Sequence, residues 1–536
     1  MASGSIAEEV QRRRSFAIIS HPDAGKTTLT EKLLLFSGAI QIAGTVRARK
    51  ASRFATSDWM EIEKQRGISV ASSVMQFVYR DCVINLLDTP GHQDFSEETY
   101  RVLTAVDAAL MVIDGANGIE PQTRRLLKIC RAREIPIITF VNKFDREVRE
   151  PLDLLDELER ELEMTPVPAT WPIGMGNRFR GVFDLRHDHV RVFRPGQDRV
   201  GGDELLSASD PGAIERLGPE WLTASQEIEL LQGASDPFEP EAFIASQQTP
   251  VFFGSAINNF GVREVLDAVV DFVPPPGSKP AEQRLVSPTE SAFTGVVFTV
   301  QANMAPQHRD RVAFVRVCSG RFERGMPLVN ARTKRTLRPQ NVVTFLSQRR
   351  DIVDEAWPGD IIGIPNHGTL RRGDTLTQGE TLQFTGLPWF APEAFRSVEV
   401  VDPMKSKQLR AALEQLGDEG AIQVFRFDDG QMLLGAVGVL QFEVVAHRLA
   451  AEYNVAARIG PSPYIAARWI SADDEAELDR FMAQHDTRIA RDTVDAPAYL
   501  AKMLVELDVA HERWPKIRFS AFREFGSSTF ASVAAD

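Results

Sequence analysis

Apolar positions in the first half of the chain follow two alternating patterns. Phe16 to Ser20, Ala108 to Ile113 and Ile137 to Val141 are short, nearly unbroken apolar runs, as expected of strands covered on both faces. Lys26 to Phe36, Phe95 to Val106 and Pro121 to Arg133 repeat their apolar residues at helical spacing. Val74 to Tyr79 and Cys82 to Leu87 predict paired strands turned at Arg80-Asp81. Pro250 to Gly254 and Val262 to Phe272 predict a last strand and a last helix. Strands alternating with helices predict a mainly parallel sheet with helices on its faces. The segment at about 146–248 breaks the series. It holds an acidic helical stretch, Leu152 to Leu162, and then Gly-, Pro- and Asp-rich sequence, and is expected to be an insertion.

The breaker cluster Pro274-Pro275-Pro276-Gly277 predicts a domain boundary. From Ala292 to Gln378, short β-rich runs separated by Gly320, Gly325, Gly359 and Gly373 predict a small barrel. Beyond Pro388 the pattern mixes again. Phe395 to Val401 and Met432 to Gly438 predict strands, and Ser406 to Leu416 and Leu440 to Tyr453 predict helices of a compact α+β domain. The expected division is residues 1–276 as a nucleotide domain, 277–390 as a β-barrel and 391–536 as a C-terminal α+β domain.

Composition narrows the class without naming a function. A chain of 536 residues is too long for one hydrophobic core. Its 43% hydrophobic and 25% charged content is that of an ordinary soluble globular protein. No apolar run approaches the ~20 residues that span a bilayer. Arg12 to Arg14 precede a short strand rather than an apolar leader, so no signal peptide is expected and the run reads as a solvated arm. Cys82, Cys130 and Cys318 are widely spaced and odd in number, which argues against a disulfide framework or a zinc site and fits a reducing cytosol. A formal charge of −13 favours solubility and gives no global sign of nucleic-acid binding.

Four short motifs carry the chemistry. Ser20-His21-Pro22-Asp23-Ala24-Gly25-Lys26-Thr27-Thr28 follows a predicted strand and opens a predicted helix, the setting of a phosphate-binding loop. There, backbone N–H groups and a helix N-terminus face phosphate, Lys26 reaches the outer phosphates and the Thr27 hydroxyl can coordinate Mg²⁺. Ser20 stands where such loops usually begin with glycine. Asp88-Thr89-Pro90-Gly91-His92 closes the next strand, 62 residues after Lys26. Asp88 can hold a metal-bound water, and the Gly91 N–H can sense a terminal phosphate. Asn142-Lys143-Phe144-Asp145 follows the Ile137 strand. The Asp145 carboxylate can accept from guanine N1–H and the exocyclic amine, a donor pair adenine lacks, while Asn142 buttresses the loop and the Lys143 stem covers the base. Gly254-Ser255-Ala256 completes the set, its small residues letting the Ala256 N–H approach the guanine carbonyl. Between the first two motifs, the Ser69 hydroxyl of Arg66-Gly67-Ile68-Ser69 could complete Mg²⁺ coordination as a switch.

In this order, with each motif at the C-terminal end of a strand, the sequence resembles the translational GTPases, the elongation-factor-like branch of the phosphate-loop fold. The further signs are Asp58-Trp59-Met60-Glu61 through Gly67-Ile68-Ser69-Val70, the barrel segment Val315-Arg316-Val317 to Pro358-Gly359-Asp360-Ile361, and Leu440-Gln441-Phe442-Glu443-Val444. Within the branch it is similar to the class II release factors. Its length is expected to set it apart from the elongation factor G type, which carries further C-terminal domains. The resemblance implies an α/β phosphate-loop GTPase domain, a β-barrel and an α+β domain. It implies hydrolysis of GTP to GDP and phosphate with Mg²⁺ held by Thr27, Ser69 and Asp88. It also implies that His92, where many small GTPases carry glutamine, orients the attacking water. The implied partners are the ribosome, through its RNA and proteins, and functionally the class I release factors, which a cytoplasmic monomer would dislodge after peptide release.

Three other readings stay open at this stage: a non-ribosomal GTP-dependent switch, a shortened translocation factor, and an ATPase resting on the phosphate loop alone. Trp171, Trp357 and Trp389 are expected to pack in cores or interfaces rather than stack on bases. Arg371-Arg372 and Lys405 to Lys407 are expected to be scattered surface charge.

Overall fold

The unbroken apolar runs become the interior strands of a seven-stranded sheet. Its order is Ser73–Tyr79, Cys82–Asp88, Arg13–Ser20, Ala108–Asp114, Ile137–Asn142, Gln248–Phe253 and Thr165–Pro168. All neighbours are parallel except the first pair. That pair is the expected hairpin, with Arg80 and Asp81 both at positive φ (47° and 64°), the backbone of a two-residue turn whose twist matches the strands it joins. The structure, a computed structural model, describes residues 4–40, 71–192, 204–207, 210, 212–234, 236–302, 311–346 and 349–524. The segment 41–70, with Asp58 to Glu61 and Arg66 to Ser69, lies outside the described residues.

Both faces of the sheet's interior strands are buried, which explains their nearly unbroken apolar runs. Ile18, Leu86, Val112 and Phe140 pack on one side against Leu29 and Leu33 of helix Lys26–Phe36 and Val265 and Val269 of helix Val262–Phe272. Ala17, Leu87, Met111 and Val141 face the other side, against Val102, Leu126, Leu127 and Leu158 of helices Ser96–Thr104, Pro121–Ala132 and Pro151–Leu162.

The segment at about 146–248 is more closely built into the sheet than an appended insertion would be. It supplies the edge strand Thr165–Pro168, which pairs with Gln248–Phe253. It then forms a four-stranded antiparallel sheet, and Trp171 of that sheet meets Phe253 edge-on at 5.3 Å within the same core.

Eight strands from Thr294–Ala302 onward curl around Phe293, Val297, Val315, Phe322, Ile362 and Leu376 as the β-barrel domain. The C-terminal α+β domain is one antiparallel eight-stranded sheet made of two halves. Helices Ser406–Glu419 and Leu440–Ala451 cover the first half, and Glu475–Gln484 and Leu504–Arg513 cover the second. The halves meet where Arg426 pairs with Arg491. No helix among the described residues is long and apolar enough to cross a membrane.

Two clusters of basic residues sit differently from the sequence expectation. Arg13 and Arg14 lie inside the first strand rather than on a solvated arm. Arg13 is buried and bonds Glu9 and, at 2.9 Å, Asp360 of the barrel, while Arg14 Nε donates to the Val270 carbonyl. Arg372 is buried too, donating to the Gly417 and Asp418 carbonyls and lying 5.0 Å from the centre of the Trp389 ring. Charge that looks superficial in sequence serves here to join domains. Lys407 is exposed, as expected, and Trp171, Trp357 and Trp389 are all buried.

Arg316 of the barrel, only 1% exposed, donates to the Ala105 carbonyl at 2.8 Å and to Asp107 at 2.5 Å. Burial pushes the Asp107 carboxyl up, but Arg316 and Lys279 outweigh it and hold it below its ordinary value of 3.8. A carboxyl held low in the folded state stabilises above about pH 3.8, and that contribution is lost as pH falls through its folded pKa. Asp107→Asn should lower the thermal midpoint at pH 7, because it strands a buried guanidinium, a loss of about 3–5 kcal/mol. The difference from the unchanged chain should shrink in acid.

Candidate functional site

The C-terminal edge of the first sheet gathers the motifs, because parallel strands deliver all their ends to one side. Ser20 closes the first strand, buried, with its hydroxyl donating to the His21 carbonyl at 2.9 Å. Asp23 (φ 64°) and Gly25 (φ 98°) turn the chain in the left-handed region, and Gly25 is the N-cap of helix Lys26–Phe36. Glycine is required there twice over. The φ excludes a side chain at low cost, and a Cβ would lie 2.2 Å from Asn142 Nδ2. His21 Nε2 stands 3.2 Å from Glu120, just ahead of helix Pro121–Ala132.

Lys26 is buried and reaches Asp88 at 2.5 Å. The second Asp88 oxygen is buried with no hydrogen-bond partner among the described residues. Thr27 and Thr28 are half-buried on the first turn of the helix. Thr89 Oγ1 donates to the Ile18 carbonyl at 2.7 Å, and Pro90 O accepts from Thr99. Gly91 lies beside the loop, where an added Cβ would stand at an ordinary 3.6 Å from Pro22 Cα. His92 is partly exposed, and its Nδ1 accepts from the Asp94 N–H at 3.2 Å. In the neutral ring this places the proton on Nε2.

One side chain joins three loops. Asn142 Nδ2 donates to the Ala24 carbonyl at 2.9 Å, and its Oδ1 accepts from Lys143 N at 2.8 Å and Ala256 N at 2.9 Å. The buttressing read from sequence thus has a definite form. The Ala256 N–H is placed differently from the expectation, because it bonds Asn142 rather than facing outward. Ser255 Oγ donates to Asp145 at 2.6 Å and accepts from Asn258, which fixes the carboxylate's direction. Lys143, at φ 77°, extends its ammonium to Asp114 at 2.6 Å.

The structure therefore brings together the Ser20 loop, Asp88 to His92, Asn142 to Asp145 and Ser255-Ala256. Ser69 lies outside the described residues. Asp114 and Asn258 are not singled out by the sequence motifs. The signal for Asp114 is an acid ending a buried apolar strand, in register beside Asn142. Among the described residues no cluster of three or more His, Cys, Asp or Glu could hold a metal by itself, so a cation here would need hydroxyl or ligand oxygens as well.

The chain matches the family model of the elongation factor Tu GTP binding domain over residues 11–275, that of elongation factor G domain 2 over 292–379, and that of the class II release factor RF3 C-terminal domain over 384–511. It is 66% identical over 534 residues to a peptide chain release factor 3 of Bordetella petrii, covering 99% of this chain and all of that one. It is 65% identical over 533 residues to the protein of the same name in Nitrosomonas europaea, again covering 99% and 100%. A solved structure from Thermus thermophilus shares the fold, with a TM-score of 0.68 at 24% identity, over 87% of this chain and 69% of that one.

Asn142→Ala should expose how much the edge depends on this amide. It leaves the Ala24 carbonyl and the Lys143 and Ala256 N–H groups without their partner, at about 1–3 kcal/mol for each group that stays buried. Amide hydrogen exchange should accelerate in all three loops, while the barrel is unchanged.

Proposed function

We propose, for a chain that belongs to the peptide chain release factor 3 family of translational GTPases, that it uses GTP hydrolysis on the ribosome to promote dissociation of class I release factors after peptide release. Family membership makes it a GTP-binding, GTP-hydrolysing enzyme of translation termination. The observation that carries the finer reading is the end-to-end likeness to release factors, third domain included. A shortened translocation factor or an unrelated switch has no such support, and the ribosome, a cytoplasmic location and a monomeric state go with this reading.

The proposed division of labour follows the geometry. Backbone N–H groups of the Ser20 to Thr28 loop cradle the phosphates, and Lys26 exchanges Asp88 for the outer phosphates. The buried Asp88 oxygen that has no partner among the described residues and the Thr27 hydroxyl fit a magnesium ion, with Ser69 proposed as the third group. When bound, that ion neutralises charge between the outer phosphates. Asp145, held by Ser255, accepts from guanine N1–H and its amine, while Lys143 covers the base. Ala256 and Asn142 shape the pocket wall through their mutual bond. Asp88, Thr89, Pro90 and Gly91 carry the terminal-phosphate contact, and His92 orients the attacking water.

Asp145→Asn replaces one acceptor with a donor facing guanine's donors. GTP affinity should fall about 100-fold or more, while ATP stays a poor ligand, as direct competition binding would read out. Equal affinity of the unchanged chain for ATP and GTP would refute the role of Asp145.

On terminated ribosomes, GTP should accelerate class I factor departure. His92→Ala should cut ribosome-stimulated hydrolysis about 100-fold or more, within the loss expected for removing a transition-state contact. Absence of any ribosomal stimulation across Mg²⁺ and salt conditions would favour the non-ribosomal switch.

A further inference from the structure

Asp94 belongs to two structural units at once. It lies in the short helical turn Gln93–Phe95, whose N-cap is His92, and it is 6% exposed. Its N–H donates to His92 Nδ1, and its Oδ1 stands 3.4 Å from the same nitrogen. Its other oxygen accepts from the Leu440 N–H at 2.8 Å, across 346 residues of sequence. Leu440 opens helix Leu440–Ala451 of the third domain, and the N-cap of that helix, Val439, offers no capping side chain. Gln441 Oε1 serves the preceding Val437 and Gly438 N–H groups instead. A carboxylate from the first domain therefore occupies the first turn of a third-domain helix, where backbone N–H groups and the helix dipole favour an anion. The approach is backbone-close, since a Cβ on Gly438 would fall 2.1 Å from Asp94 Cγ and 2.5 Å from its Cα.

We propose that Asp94 is a positioning residue that couples third-domain docking to the state of the His92 ring. This rests on the reading of His92 as the water-orienting group. While Leu440 holds Asp94, the turn presents its backbone N–H to Nδ1, and the neutral ring carries its proton on Nε2. A water that must donate a hydrogen bond to the ring finds no acceptor there, so the docked arrangement restrains hydrolysis. When the third domain moves away, the turn relaxes and the ring proton relocates by exchange with solvent to Nδ1, where it donates to the Asp94 carboxylate. Nε2 is then the free acceptor facing water. Asp94 supports the restrained tautomer through its backbone and the competent one through its side chain.

The test uses the full-length chain without ribosomes. Gly438→Ala forces the two backbones apart and leaves Asp94 and His92 intact, so kcat for GTP should rise about tenfold with KM within twofold of the unchanged chain. Adding Asp94→Ala should abolish that gain, and Asp94→Asn, which keeps an acceptor oxygen, should restore part of it. Nitrogen-15 NMR of labelled histidines should place the His92 proton on Nε2 in the unchanged chain and shift it toward Nδ1 in Gly438→Ala. Unchanged or reduced kcat in a folded Gly438→Ala chain would overturn the proposal. An Nδ1 proton in the unchanged chain would overturn it too, even if the glycine variant proves unstable. The His92 reading fails separately, if His92→Ala alone leaves ribosome-stimulated hydrolysis intact. If that variant is inactive while Gly438→Ala changes nothing, His92 stands and the coupling falls.

Discussion

The carboxamide of Asn142 is the constraint on which the nucleotide edge depends. A carboxamide offers a donor and an acceptor side by side in one rigid plane, and both are used. The donor holds the phosphate loop through Ala24, and the acceptor holds the Lys143 and Ala256 segments. Three loops that arrive from separate strands are thereby fixed to one another rather than each to its own strand. A carboxylate could not donate to Ala24, and an aliphatic group could satisfy none of the three. The same amide explains Gly25, because its nitrogen occupies the volume a side chain there would need. Asn142 is 3% exposed, so water cannot replace the bonds it makes.

The domains are joined by a comparable sharing of polar groups. Asp360 of the barrel receives Arg13, Gln76 and Asn85 from the first domain, and its second oxygen also takes the Trp357 N–H. At the far side, Glu419 of the third domain takes Arg311 from the barrel and Arg448 from its own domain. Burial pulls the Arg448 guanidinium down, but Glu419 and Glu452 outweigh it and hold it above its ordinary value. Buried charges of this kind add little net stability over apolar packing, yet each is costly to strand. That asymmetry favours one relative placement of the domains over many near alternatives. Arg372 extends the network by donating to the last carbonyls of helix Ser406–Glu419, the end where a cation is favoured.

The first sheet was legible because both its faces are covered, so local apolar runs coincide with strands. Helices Lys26–Phe36 and Val262–Phe272 begin and end where their periodicity predicts. The four loop motifs were legible as well, since each depends on residue types at fixed short spacing. What local pattern does not carry is partnership over distance. Arg13 looks like part of a basic arm until Asp360 is brought beside it. The Ala256 N–H, expected from sequence to approach the guanine carbonyl, bonds Asn142 instead, a partner only the fold brings to it. The second half of the third domain rests on strands as short as Ile489–Arg491, too brief for a period to register.

The turn from Asp88 to Phe95 is held between these two systems. On one side Gly91 lies beside the phosphate loop, where an added Cβ would stand 3.6 Å from Pro22 Cα. On the other, Asp94 lies against Gly438 and Leu440 of the third domain. The third-domain contact is the tight one, since a Cβ added to Gly438 would fall 2.5 Å from Asp94 Cα. A shift of the turn toward a terminal phosphate must therefore break or move the third-domain contact. By reciprocity, a force on the third domain must alter the turn. Coupling in this chain needs no long relay of side chains. It requires only that His92 and Asp94 sit two residues apart on one short turn, between a ligand edge and the helix of a neighbouring domain.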